Sequence, residues 1–235
     1  MRIMLGLLVV LAAHTANAAN VAAIGDSLVE DGANDPDWAE TLCNEVTGQS
    51  CSDTGTLLVS GGQGPVYAAG TFSIRNLGKG GDRVTVEIFD RYCAHCVSGN
   101  APGTPYDAVI FEGGVNDVLY YYSATAIWDK WKLILDDAYS RGRVVILYGM
   151  PWESYHDFTI PRDADLQAAW AYAVAWCSTR GNAICVDLGP ALDVDDDGEC
   201  DAGLCTDGLH WSATGSAAVG EYVAAQAGTM LMAAP

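Results

Sequence analysis

Four short blocks of this chain hold residue types that could carry out acyl chemistry. Gly25-Asp26-Ser27-Leu28 follows the apolar run Val21–Ile24. A serine just past a buried strand can present its hydroxyl as a nucleophile, although serine at such a position also caps helices. Asn76-Leu77-Gly78-Lys79-Gly80-Gly81-Asp82 concentrates glycine, which lets backbone N–H groups face an anion. It matches neither common phosphate-loop pattern and, taken singly, is an ordinary glycine turn. Gly113-Gly114-Val115-Asn116-Asp117 offers a side-chain amide that could donate to an oxyanion, or an Asx turn at a helix start. Asp207-Gly208-Leu209-His210 puts a carboxylate three residues before an imidazole. That spacing across a turn can fix one ring nitrogen and leave the other free to accept a proton. The alternative is a surface turn with an incidental histidine, one of four in the chain.

The elements that must position these blocks are read from the hydrophobic pattern. Strands are expected at Val21–Ile24, Phe72–Leu77, Ala108–Phe111, Val144–Tyr148 and Ala183–Val186. Helices are expected at Asp37–Val46, Arg83–Tyr92, Ala124–Arg141, Asp163–Arg180 and Ser212–Met232, with Gly142 and Gly181 as stops. Residues 48–71, rich in Gly, Ser and Thr, read as an irregular excursion. Strands alternating with helices imply an α/β class fold, a three-layer α/β/α domain around a mostly five-stranded parallel sheet. In such sheets reactive groups gather at the carboxyl ends of the strands, and the first three blocks each follow an expected strand.

The four blocks, in this order from residue 25 to residue 210, closely resemble the SGNH (GDSL-like) hydrolase family. The resemblance implies the flavodoxin-like SGNH fold and a carboxylic ester hydrolase. Carried over residue by residue, it implies Ser27 as nucleophile and His210 as general base, with Asp207 orienting the imidazole. The Ser27 and Gly81 backbone N–H groups and the Asn116 amide would form the oxyanion hole. Arg83 is a departure, because many members carry Ser or Thr there, and the stretch from Gln49 to Arg75 is longer than a minimal member needs. Leu28, Tyr120, Trp152 and Trp211 are the expected substrate contacts. Aromatic residues near a hydrolytic centre suit sugar rings or acyl chains and serve equally well in core packing.

Composition narrows the setting. The 235 residues suffice for one domain with a full core. Arg2, the apolar Met4–Ala13 and Ala16-Asn17-Ala18 read as a signal peptide over residues 1–18, leaving a single domain over 19–235 and a secreted protein. That apolar run is far shorter than the roughly 20 residues a membrane span needs, so no stable membrane insertion is expected. Eleven Lys and Arg against 30 Asp and Glu give a net charge of −19, which repels nucleic acid and anionic membranes. The eight cysteines form four close pairs, Cys43/Cys51, Cys93/Cys96, Cys177/Cys185 and Cys200/Cys205, and local disulfides are expected in an oxidising compartment. A redox role for Cys93-Ala94-His95-Cys96, or zinc held with Cys200 and Cys205, is the alternative.

Catalysis of this kind requires no cofactor. Asp193, Asp195, Asp197, Glu199 and Asp201 nevertheless repeat the opening of a calcium loop, without the Glu that closes an EF-hand, and are candidate ligands for a structural Ca2+. The expected partner is a small-molecule or polysaccharide ester met by a monomer. Short acyl or acetyl esters come first, then lysophospholipid or thioester substrates. A carbohydrate-binding protein on a retired hydrolase fold and an acyltransferase with a sugar acceptor are the competing classes.

Overall fold

The apolar segment Ala19–Ile24 forms strand β1 and is buried almost throughout, as a strand covered on both faces must be. The computed structural model describes residues 19–30, 37–54, 64–94, 106–149, 160–197, 199–207 and 209–233. After β1 come α1 (Ser27–Glu30), α2 (Trp38–Thr47), β2 (Ser52–Asp53), β3 (Val66–Ala69) and β4 (Phe72–Asn76). A π-helical turn over Val84–Ile88 runs into α3 (Phe89–Tyr92), followed by β5 (Ala108–Phe111), α4 (Val115–Leu119), α5 (Ala124–Arg141) and β6 (Arg143–Tyr148). The chain then forms α6 (Ile160–Cys177), β7 (Ala183–Asp187), α7 (Gly189–Leu192) and α8 (Ala213–Met232).

One seven-stranded sheet results, in the order β2-β3-β4-β1-β5-β6-β7. The five strands expected from sequence are parallel. The departure is at one edge, where β2 and β3 pair antiparallel inside the stretch expected to be irregular. β2 has only two residues, and the four of β3 stand between glycines, so neither declares a strand pattern of its own. What organises them is β4, onto which β3 folds back through Gly70, held at φ 59°. Helices cover both faces: α2 and α8 pack together on one, and α5 and α6 pack together on the other.

Side-chain caps set the helix limits. Asp37 accepts a hydrogen bond from Ala39 N and starts α2, Ser123 caps α5 and Ser212 caps α8. α6 stops at Cys177, short of the expected stop, where a disulfide to Cys185 ties it to β7. Three expected local disulfides are present, Cys43–Cys51, Cys177–Cys185 and Cys200–Cys205. Such bridges fit an extracellular or periplasmic setting. The Cys93/Cys96 pair cannot be followed because Cys96 lies outside the described residues, as do residues 1–18. No described helix is long and apolar enough to cross a membrane.

Candidate active site

Sheet register brings the first three blocks together. β1 lies between β4 and β5, with Ala23 opposite Asn76 and Ile24 opposite Phe111. The chain therefore leaves three adjacent strands at one level, and Ser27, Gly81 and Asn116 follow within five residues of those strand ends. This is the reversal point of strand order, where open α/β sheets place their ligands. Two glycine features make the convergence possible. A Cβ on Gly78 would lie 2.1 Å from Glu30 N, so only glycine lets this loop pass α1. Gly113 and Gly114, at φ 147° and 120°, turn the chain sharply from β5 into α4.

The fourth block arrives from the opposite end of the chain. The Cys200–Cys205 disulfide, an antiparallel bridge between Cys205 and Trp211, and Thr206 N donating to His210 O at 2.8 Å hold the turn before α8. Within it, Asp207 Oδ1 accepts from Leu209 N at 3.1 Å and His210 N at 2.8 Å, and Asp207 Oδ2 lies 2.7 Å from His210 Nδ1. Burial alone would raise the Asp207 carboxyl. The hydrogen bonds from His210 and Leu209 outweigh it and hold that carboxyl below its usual range. His210 Nε2 then lies 2.9 Å from Ser27 Oγ. Serine, imidazole and carboxylate are thus aligned so that the ring can take the hydroxyl proton while the carboxylate faces the imidazolium that forms.

Asn116 sits in the first turn of α4, and its Nδ2 donates to Asp26 Oδ2 and Asp82 O, each at 3.2 Å. Gly81 occupies an exposed turn at φ 78°, open on the side where a Cβ would project. Its neighbour Gly80 approaches Ser27 closely, a Cβ there lying 3.6 Å from Ser27 Cβ, and Gly80 N donates to the Glu30 carboxylate. The glycine loop is thereby pinned beside the serine.

Several motif residues have roles that spacing did not reveal. Asn76 buckles the loop, donating to Val29 O at 2.6 Å and accepting from Gly78 N at 3.0 Å. The buried Asp117 accepts from Val84 N and Thr85 N at 2.7 and 3.0 Å and so caps the π-helical turn. Burial still pushes its carboxyl upward against those bonds. Asp82 is paired with the buried Arg91, whose Nη2 donates to Gly25 O at 2.8 Å. Glu112, which the sequence reading passed over, is buried against Asp26. Its place next to the glycine pair was the one available signal.

The expected substrate contacts divide. Tyr120 is exposed and stands one helical turn beyond Asn116, with the Arg83 guanidinium 4.7 Å over its ring. Arg83 is held by Glu87 at 2.6 Å. Leu28 and Trp211 belong to the core instead, both flanking Gly149, where a Cβ would meet them at 2.7 and 3.9 Å. Their apolar bulk is satisfied by packing under the triad. Trp152 lies outside the described residues. In the acidic loop, Asp193, Asp195 and Asp197 can each bring an oxygen within 4.8 Å of the others. Glu199 and Asp201 stand outside that group, and Asp201 Oδ2 accepts from Val194 N at 2.9 Å.

The fold and site define an α/β acyl hydrolase type, with a Ser-His-Asp alignment at the switch point of a flavodoxin-like sheet. Residues 23–218 match the GDSL-like Lipase/Acylhydrolase family, and the chain belongs to it. Its fold is similar to that of a member of the lipolytic protein G-D-S-L family from Veillonella parvula, at TM-score 0.61 and 16% identity, covering 89% of this chain and 97% of that one. A peptidoglycan O-acetylesterase matches at TM-score 0.59 and 12% identity, covering 94% and 93%. TesA matches at 0.62 and 13%, covering 90% and 99%. No curated protein matches the chain in sequence.

Proposed function

We propose that this protein is a secreted serine ester hydrolase acting through an acyl-enzyme on short acyl or acetyl esters, including carbohydrate acetyl esters. The 2.9 Å contact between His210 Nε2 and Ser27 Oγ carries the reading. Ser27 Oγ attacks the ester carbonyl while His210 takes its proton, and the imidazolium returns that proton to the departing alcohol. Water activated by His210 then releases the acid. The Ser27 and Gly81 N–H groups and the Asn116 amide stabilise the oxyanion. Tyr120, exposed beside this centre, suits a sugar ring or acyl chain, and the fold similarity to a peptidoglycan O-acetylesterase agrees with an acetyl ester.

The test is hydrolysis of p-nitrophenyl acetate, butyrate and octanoate by the wild type beside Ser27→Ala. Ser27-dependent turnover that falls with chain length is the expected result. A preference for octanoate would move the assignment to lipid esters. Absence of Ser27-dependent turnover, on these substrates and on acetylated polysaccharide alike, would sink the reading.

A structural calcium ion belongs to the same proposal. Asp193, Asp195 and Asp197 fit its all-oxygen preference, and Asp197 is the main influence raising the Asp195 carboxyl, as close like charges do. Adding millimolar calcium after chelation is expected to raise Tm by several degrees, corresponding to about 1–3 kcal/mol. An unchanged Tm removes the ion from the account.

The Cys200–Cys205 bridge closes the segment just before the Asp207–His210 turn. The Cys200→Ser/Cys205→Ser double variant is expected to lose about 2 kcal/mol of stability. It should lose more kcat than removal of Cys43–Cys51, which joins α2 to the loop after it. Equal effects on kcat from the two removals would show that the turn holds its shape without the bridge.

A further inference from the structure

Beneath the serine lie two carboxyl groups that the hydrolytic steps do not use. Asp26 and Glu112 are 1% and 2% exposed, on the loops leaving β1 and β5, where the pairing of Ile24 with Phe111 sets them side by side and each carboxyl acts on the other. The Glu112 carboxyl receives the Asp26 and Gly113 backbone N–H groups, but its Oε2 meets no N–H or O–H donor. Asp26 is well supplied: Oδ1 accepts from Leu28 N at 3.1 Å and Oδ2 from Asn116 Nδ2 at 3.2 Å. The Arg91 guanidinium close by is engaged by Asp82 and by Gly25 O.

Two buried carboxylates in contact cannot both ionise cheaply, and one proton held between them removes the repulsion. Burial raises both groups. Contact with Asp26 raises Glu112 further, against the Asp26 and Gly113 N–H groups that act to lower it, whereas the hydrogen bond from Glu112 and the Leu28 N–H act to lower Asp26. Glu112 is the one raised well above the usual carboxyl range, so the shared proton is assigned to it, with Asp26 as the acceptor. The other charged groups acting on Asp26 are Asp117 from α4, which opposes its ionisation, and His210 from the catalytic turn, which favours it.

We propose that Asp26 and Glu112 form a proton-sharing carboxyl pair that positions the Asn116 amide for the oxyanion and places one negative charge beneath His210. The inference rests on the ester hydrolase reading above. Both amide hydrogens of Asn116 are engaged at rest through contacts of 3.2 Å. An oxyanion is a stronger, charge-assisted acceptor than the neutral Asp82 carbonyl and can draw away the hydrogen held there, while Asp26 retains the other and keeps the amide plane in place. Asp26 is useful in this way only as an anion, and it is spared an unpaired partner charge only while Glu112 stays protonated. Both groups are positioning residues.

The pair is tested first without catalysis, by following the side-chain carboxyl carbons of Asp26 and Glu112 with 13C NMR as pH is varied. A Glu112 carboxyl still protonated at pH 7, with the Asn116 side-chain amide signals moving as the pair titrates, is expected. Two ionised carboxyls at pH 7 would overturn the proposal even if the protein hydrolysed no ester. Kinetics supply the second test. Glu112→Leu is expected to lower kcat roughly tenfold with little change in KM. Glu112→Gln, whose amide can still donate to Asp26, should restore most of that loss. In an Asn116→Ala background, Glu112→Leu should add nothing further. A full additional loss there would show that Glu112 acts on stability rather than through Asn116. Ester turnover lost in Ser27→Ala but additive in this cycle would overturn the pair's role and leave the hydrolase reading standing.

Discussion

Ser27→Ala is expected to lower ester turnover by a factor on the order of 10⁵–10⁶ while leaving the fold intact. Alanine has no oxygen to form the acyl-enzyme, and His210 Nε2 loses the partner it meets at 2.9 Å. Whatever rate remains comes from substrate binding and the oxyanion donors acting on water. The fold should be indifferent, because Asp26 rather than Ser27 accepts the Leu28 N–H at the start of α1. A Tm within about two degrees of wild type, alongside the lost turnover, would show this. The same variant should show no burst of p-nitrophenol and no covalently acylated protein by mass spectrometry. If Ser27→Ala kept turnover within about tenfold of wild type, another group would have to be the nucleophile.

Asn116→Ala is expected to cost about 10²–10³ in kcat with a much smaller change in KM, the signature of a donor that matters mainly to the transition state. Its Nδ2 is brought to the site by the first turn of α4 and held by Asp26 and Asp82. Removal also leaves Asp26 Oδ2 without that donor, so some loss of stability should accompany the kinetic effect. Measuring kcat, KM and Tm together separates the two. A folded Asn116→Ala protein of near-normal kcat would remove the side-chain amide from the oxyanion hole and leave stabilisation to the backbone N–H groups.

Both predictions concern residues legible in the sequence itself, and the reason is local. Ser27, Asn116 and the Asp207–His210 pair each lie in a short block whose chemistry depends on neighbours a few residues away. The strands carrying the first three blocks are largely buried, and Val21–Ile24 and β5 are unbroken apolar runs followed closely by glycine. Asp207 reaches His210 across three residues, so that contact is contained in the spacing itself. The helix caps at Asp37, Ser123 and Ser212 are equally local.

What the tertiary structure decided depends on contacts between segments far apart in the chain. The edge strands exist because β4 offers β3 a partner and β3 in turn offers one to β2, and so short a run beside glycine carries no pattern of its own. Leu28 and Trp211 flank the catalytic blocks in sequence, yet packing around Gly149 turns both into the core. The meeting of Asp26 with Glu112 follows from the pairing of Ile24 with Phe111, which sets the residues just beyond β1 and β5 side by side. By itself, then, the sequence determined which residue types could react and the parallel sheet that carries them. Only the folded chain decided which of those far apart in sequence touch, because the meeting of two buried carboxyls and the packing of an apolar side chain arise from register and burial rather than from spacing along the chain.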